Sequence, residues 1–329
     1  MKIAVDAMGG DHAPFEVVKG VLLASREFSN VNYLLIGDES KIIDCLNQLK
    51  ADIPSNVELL HTDVHITMED DPMLIMKGKE TCSMRIGLEK LKNNEVDAFV
   101  SAGSTGALHT GSTLIVRRIK GVRRSAIAAV IPLKTPMLLL DSGANPEVNA
   151  DILNQWAVVG SAYVNQMFGV ASPRVGLLNN GAEEHKGTST VQEAYQLLKQ
   201  NENINFVGNV ESKEIFNCVC DVLVTDGFTG NITVKLIEGM GKFMFKSIKK
   251  VLYTNFLTKL SALTLKKPLM RFKKQFDASE YGGAPILGLQ KPVVKAHGSS
   301  NAYEIRSTIK QAISFYETGI IEKVTNALN

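Results

Sequence analysis

The chain contains no run of about 18 consecutive apolar residues, so no membrane-spanning helix is expected. Its first residues, MKIAVDAMGG, read as a strand and a turn and lack the charged segment and long apolar stretch of a signal peptide. A cytoplasmic protein is the expectation. Cysteine is scarce: Cys45, Cys82, Cys218 and Cys220 form no C-x-x-C pair and no ligand spacing with histidine. Four scattered cysteines in a long chain suit a reducing cytosol and argue against structural zinc. Excess charge is absent too, with 36 Lys+Arg against 34 Asp+Glu and a net charge of +2, so charge alone makes no case for nucleic acid. Several catalytic signatures are missing as well. No G-K-[ST] follows the glycines, no G-x-G-x-x-G opens the first helix, and neither G-x-S-x-G nor H-E-x-x-H occurs. Nucleotide binding, a covalent intermediate, a metal and a cofactor are therefore not expected.

What is present is strand and helix in alternation. With 329 residues, 45% of them hydrophobic, the chain is long enough to bury one large core or two modest ones. Apolar strands read at Lys2 to Val5, Tyr33 to Ile36, Val57 to Leu60, Ala98 to Val100, Ala126 to Ile131, Met137 to Leu140, Arg174 to Leu178, Asn205 to Val207 and Val222 to Val224. Helical periodicity fits Phe15 to Phe28, Ser83 to Lys92, Ala107 to Val116, Asn149 to Phe168, Thr188 to Gln200, Thr233 to Tyr253 and Tyr303 to Thr318. This order predicts an α/β fold, a mostly parallel sheet with helices on both faces. No fixed-period repeat and no low-complexity linker divides the chain, so residues 1–329 read as a single domain.

Several strands end in turns of small and polar residues. Asp6-Ala-Met-Gly9-Gly10-Asp11-His12 follows the first strand, Ser101-Ala-Gly103-Ser104-Thr105-Gly follows Phe99-Val100, and Asp141-Ser-Gly-Ala-Asn follows Leu140. Asn179-Asn-Gly181-Ala-Glu-Glu-His185-Lys186-Gly follows Leu178, and Asp226-Gly227-Phe-Thr229-Gly230-Asn231 follows Val224. Glycine lets backbone approach a ligand, and free N–H groups at a helix start attract anions. Taken singly, each turn is also what ordinary turn chemistry and helix capping would produce. Five such turns at one end of one sheet would line a single cleft, with phosphate or a carboxylate as the first ligand to consider.

Within that cleft Lys186 would balance an anion or an oxyanion, or be a solvated lysine. Asn231 would donate its amide to a carbonyl oxygen, cap the following helix, or both, and Asp226 would orient Lys186 or cap. His12, His185 and His297 sit in polar loops where an ordinary hydrogen-bonding role is the commoner one.

Charge is not evenly spread. Ten cations, Lys242, Lys246, Lys249, Lys250, Lys259, Lys266, Lys267, Arg271, Lys273 and Lys274, occur with no acidic residue between Glu238 and Asp277. Phe245, Ile248, Leu252 and Phe256 recur at helical steps, Leu257, Leu260, Leu263 and Leu265 extend the apolar content, and Pro268 should break the helix. A protruding basic amphipathic helical hairpin is expected over residues 242–276. It suits an anionic membrane surface or an acidic protein partner, the alternative being a core or dimer helix with a solvated face.

Together these motifs resemble the bacterial acyl-acyl carrier protein:phosphate acyltransferase (PlsX) family. The resemblance rests on Val5-Asp-Ala-Met-Gly-Gly-Asp, Ser101-Ala-Gly-Ser-Thr-Gly-Ala-Leu, Asp141-Ser-Gly-Ala-Asn, Lys186-Gly, Asp226-Gly-Phe-Thr-Gly-Asn, Glu238-Gly, Tyr281-Gly-Gly-Ala-Pro and His297-Gly-Ser-Ser, and runs from the first strand to the last helix. It implies a Rossmann-like three-layer α/β/α fold, a homodimer and peripheral association with the inner face of the cell membrane. The implied reaction moves a long fatty acyl group from acyl carrier protein to inorganic phosphate. The acyl phosphate then feeds phospholipid synthesis through a downstream glycerol-3-phosphate acyltransferase. Lys186 and Asn231 are implied at the reaction centre. Ser104 stands where the family is expected to have Asn, and Asn180 and Ala182 where an aliphatic residue and Glu are common. Two other classes fit parts of the sequence: a hydroxy-acid dehydrogenase, which would need a nicotinamide site, and a non-catalytic membrane scaffold, which would use the hairpin alone.

Overall fold

The computed structural model describes residues 1–275 and 281–328, except the side chains of Phe256, Leu257, Leu260, Ser261, Lys266 and residues 273–275. Its first part runs β1 (Lys2–Asp6), α1 (Phe15–Glu27), β2 (Asn32–Gly37), α2 (Glu39–Leu49), β3 (Val57–His61), α3 (Ser83–Lys92), β4 (Ala98–Ser101) and α4 (Thr105–Gly111). Next come β5 (Ala126–Ile131), β6 (Met137–Leu140), α5 (Ala150–Phe168), β7 (Arg174–Asn179), α6 (Ser189–Gln200), β8 (Asn205–Glu211) and β9 (Val222–Val224). The chain continues through α7 (Gly227–Leu252), α8 (Phe256–Gln275), β10 (Ala284–Leu287), β11 (Val293–Lys295), α9 (Ala302–Glu317) and α10 (Ile320–Ala327).

All of these strands join one sheet in the order β3-β2-β1-β4-β11-β10-β5-β6-β9-β7-β8. Helices cover both faces, as the two-sided apolar strands require. Ile3, Val5, Leu138, Leu140, Val222 and Val224 turn to one face, where they pack with α1, α5 and α9. The alternate residues Ala4, Ile36 and Phe99 turn to the other face and meet α3 and α4. Leu139 and Leu223 turn the same way and meet Val234 and Ile237 of α7. The period of two along each strand thus builds two apolar layers from one set of strands.

Strand direction corrects the expectation of a single cleft. β3, β2, β1, β4 and β11 are mutually parallel, and so are β6, β9, β7 and β8. Between the two groups lie three antiparallel pairings, β11 with β10, β10 with β5, and β5 with β6. An odd number of reversals sends the second group the opposite way. The turns after β1 and β4 therefore open at one edge of the sheet, and those after β6, β7 and β9 at the other.

Two helix expectations also change. α7 starts at Gly227 rather than Thr233, because Asp226 caps it by accepting from Thr229 N at 2.8 Å. α8 runs through Pro268 instead of breaking there. A proline removes one intrahelical donor, and the Leu, Lys and Met residues around it are strong helix formers that carry the helix past it. Of the proposed hairpin, Phe276 and the side chains of Leu257, Leu260 and Lys266 lie outside the described residues.

Candidate active site

At the edge where β6, β9 and β7 end side by side, three turns meet. The Asp141 carboxylate after β6 is fully buried and accepts from Ile127 N (3.0 Å), Gly143 N (3.1 Å), Ala144 N (3.1 Å), Asn145 N (2.7 Å) and Asn145 Nδ2 (2.9 Å). A carboxylate so surrounded by donors fixes its own turn. The same turn seats the next helix: Asn145 O accepts from Gly227 N at 2.8 Å, and side chains at Gly227 or Gly230 would collide with the turn's backbone. Glycine is required at both positions by close approach.

That contact aims Asn231. Its amide lies over Gly143, where an added Cβ would come within 3.0 Å of Asn231 Nδ2. Asn231 is not the helix cap: it sits inside the helix, half-buried, with no side-chain hydrogen bond among the described residues. Asp226 caps the helix, accepting from Thr229 N and from Thr229 Oγ1 at 2.8 Å each.

Lys186 belongs to the loop after β7. Asn179 Nδ2 donates to Lys186 O at 3.1 Å, and a Cβ at the buried Gly181 would touch the lysine stem at 2.9 Å. These contacts hold the backbone while the ammonium stays exposed and makes no ion pair among the described residues. Thr188 caps α6 two residues later, accepting from Val191 N at 3.3 Å. His185, beside Lys186, is exposed. β7 and β6 are both neighbours of β9, so the ends carrying Lys186 and the Asp141 turn are about 10 Å apart at ordinary strand spacing.

At the opposite edge a second polar cluster forms. Asp6, Ser101 and Lys295 stand in register on β1, β4 and β11 and face the side of the sheet that carries α4. Asp6 accepts from Ser83 Oγ (2.6 Å), Ser101 Oγ (2.7 Å) and Met8 N (3.1 Å), and burial pushes its carboxyl up despite these donors. Gly9 and Gly103 touch here so closely that a Cβ on Gly9 would lie 2.5 Å from Gly103 N, and Gly10 takes φ +107°. Ser104 caps α4, accepting from Ala107 N at 3.4 Å, while Thr105 behind it is exposed. Asp11 and His12 are exposed, as is His297, whose Nδ1 bonds Ser299.

Three members of these clusters lie outside the glycine-rich turns that the sequence marks as candidate sites. Lys295, at the end of the apolar run Val293-Val294, is 7% exposed, and burial lowers its pKa to about 8 against the pull of Asp11 and Asp6. Its signal was a lysine closing a strand. His109 on α4 and Ser125 before β5 are the others: His109 Nε2 lies 3.1 Å from Ser125 Oγ, and Asn145 Nδ2 donates to Ser125 O at 2.8 Å. They tie α4 to the Asp141 turn, and no local pattern foretold that contact. Among the described residues no group of three or more His, Cys, Asp or Glu side chains could hold a metal ion.

Residues 1–323 match the model of a family described as fatty acid synthesis protein. The chain belongs to this family, the phosphate acyltransferases. It is 42% identical over 331 residues to the phosphate acyltransferase of Listeria innocua, covering 100% of this chain and 97% of the relative. Its fold is similar to that of a phosphotransacetylase from Streptococcus pyogenes, with a TM-score of 0.61 at 17% identity over 99% of this chain and 94% of that one. A 4-hydroxythreonine-4-phosphate dehydrogenase from Klebsiella pneumoniae is also similar, with a TM-score of 0.55 at 13% identity over 96% and 98% of the two chains. One fold thus serves transacylases and dehydrogenases, and the chemistry has to be argued from the site.

Proposed function

We propose that this enzyme transfers a fatty acyl group from the thioester of acyl carrier protein to inorganic phosphate, at the sheet edge that holds Lys186 and Asn231. The observation that carries the reading is this pair: a cation and an amide, both without partners among the described residues, at the ends of neighbouring parallel strands. The similarity to the phosphate acyltransferase of Listeria innocua supports phosphate as acceptor. Acyl carrier protein as donor rests on the motif resemblance.

Phosphate is already a nucleophile at neutral pH, so the protein has to position it and stabilise charge. A phosphate oxygen bonds to the thioester carbon, and the carbonyl electrons move onto oxygen. The C–S bond then breaks, the pair leaves on sulfur, and solvent protonates the carrier thiolate. Lys186 holds the phosphate or the oxyanion, Asn231 donates its amide to the carbonyl oxygen, and Asp226, Gly227, Thr229 and Gly230 keep the first turn of α7 in place. Asn179 and Gly181 shape the Lys186 loop. No covalent acyl-enzyme forms. The Asp6, Gly9, Gly10, Asp11, Ser101, Gly103, Ser104, Thr105 and His297 cluster is a substrate-contact region at the far edge, which suits an extended donor made of a fatty chain and a carrier arm.

Residues 1–329 act as one acyltransferase unit in this reading, with α7 and α8 reaching out from it. Leu263, Leu265, Lys267 and Arg271 are exposed on α8 and serve membrane or carrier contact. Phe228, Ile232, Leu236, Met240 and Phe243 form an exposed apolar stripe on α7, which is assigned to a homodimer. Among the described residues no helix is long and apolar enough to cross a membrane, and in this reading the attachment is peripheral. Intact-mass analysis tests the mechanism. With palmitoyl-acyl carrier protein and no phosphate the enzyme keeps its own mass, and with phosphate, acyl phosphate accumulates. An enzyme heavier by one acyl group would overturn direct transfer.

A further inference from the structure

β1 and β4 are neighbours, yet the chain leaves β1 for β2 on one side and β4 is followed across the sheet by β11 on the other. This is a topological switch point, where a crevice opens beyond the carboxyl ends of parallel strands. On the β4 side it is walled by two turns, Ala102 to Ser104 after β4 and Ala296 to Gly298 after β11. Neither wall is held by regular secondary structure alone. Ala296 N donates to Ser101 O at 2.9 Å, and Asp11 N donates to Gly298 O at 2.8 Å. The buried Lys295 ammonium donates to Ala102 O at 3.2 Å and to Ala296 O, one carbonyl from each wall. Among the described residues no other side chain bonds both.

We infer that Lys295 is a positioning residue whose ammonium clamps the two walls of this crevice together, so that the crevice keeps its working shape only while the lysine is charged. An ammonium donates to two carbonyls at once, whereas a neutral amine loses the charge that makes those bonds strong. The groups that face it set its charge. Asp6 on β1 and Asp11 in the following loop favour the ammonium, burial opposes it, and His65 acts on Asp6 from the loop after β3. Asp6 cannot replace the clamp, because its oxygens accept, from Ser83, Ser101 and Met8, and a carbonyl needs a donor. The pKa of about 8 falls inside the range where an enzyme is assayed, so the clamp releases as pH rises through it.

The test uses the whole enzyme and two variants, Lys295→Met and Lys295→Arg. Phosphate-dependent thiol release from palmitoyl-acyl carrier protein is measured from pH 6 to 10, and amide hydrogen exchange of residues 101–104 and 296–300 is measured beside it. Wild-type kcat/KM should fall above about pH 8, and Lys295→Arg, charged throughout, should move that limb upward by at least about one pH unit. Lys295→Met should be slower by roughly 10- to 100-fold at neutral pH, with no limb near 8 and faster exchange in both walls. A wild-type profile in the Met variant, or an alkaline limb that Arg leaves in place, would overturn the inference. Melting temperatures of the variants separate unfolding from loss of the clamp. The kinetic arm rests on the acyl transfer proposed above, and the exchange arm does not. If wild type shows no phosphate-dependent release, the functional reading fails while exchange still decides the clamp.

Discussion

Gly230 gives the sharpest test of how Asn231 is placed. A methyl group there would lie 1.9 Å from Asp141 O and 2.9 Å from Leu139 Cδ2, against a floor of 3.0 Å for real contacts. The acceptor cannot swing away, because Asp141 N is bonded to Thr225 O and its carboxylate is held by the donors of its own turn. α7 must therefore retreat by roughly 1 Å, which is the scale at which misplacing a reacting group costs about 100-fold in rate. Overpacking costs about 1–3 kcal/mol, and the better helix propensity of alanine offsets up to about 1 kcal/mol of it. Gly230→Ala should then melt about 2–6 °C lower, with kcat reduced about 100-fold, by calorimetry and thiol-release kinetics. Gly241→Ala in the same helix is the control. Nothing lies within 4 Å of its added Cβ, so it should gain about 0.5–1 kcal/mol and keep its rate. Gly230→Ala with a wild-type melting temperature and a rate within about twofold would refute the seating of α7 on the Asp141 turn.

Lys186→Ala should lower phosphate-dependent turnover by about 100- to 1000-fold without changing the melting temperature, since the side chain is exposed; turnover within a few-fold at saturating phosphate would remove it from the mechanism. Paired Leu263→Glu and Leu265→Glu changes should abolish co-sedimentation with anionic liposomes and spare activity on soluble substrate, and unchanged sedimentation would refute the anchor. At Asp221 burial raises the carboxyl pKa, but Arg174, donating from Nε at 3.1 Å and Nη2 at 2.9 Å, outweighs it and the net shift is downward. The stability it supplies is complete above about pH 4 and is lost as pH falls through the depressed folded pKa. Arg174→Met should therefore cost about 1–3 kcal/mol at pH 7 by urea titration, with the gap to wild type closing toward pH 2; a gap that widens in acid would contradict the pairing.

Much of the fold was legible because its strands are apolar on two faces and its helices carry a strong 3.6-residue period, as in α1, α5 and α9. What escaped was short or locally ambiguous. α2 offers Ile42, Cys45 and Leu46 behind an Asp38 cap, a signal passed over between two strands. β10 and β11 have four and three residues, and Pro285 argues against a strand. The start of α7 reads as a turn because Gly227 and Gly230 are poor helix formers, and its packing on the Asp141 turn overrides that preference. The reversal of the sheet could have been seen. β5 and β6 are joined by residues 132–136 with no helix, too short for a parallel crossover, so they had to be antiparallel. The strand ends that precede Lys186, Asn231 and Asp141 were legible because glycine and polar residues mark them. Lys295, His109 and Ser125 were not, because their partners lie on strands and turns far away in sequence.

The central claim is tested most directly by the release of free carrier thiol from palmitoyl-acyl carrier protein, with and without inorganic phosphate. Release that requires phosphate, with acyl phosphate formed in equal amount, is the predicted result. Release without phosphate would make the enzyme a thioesterase, and no release under either condition would contradict acyl transfer at this site.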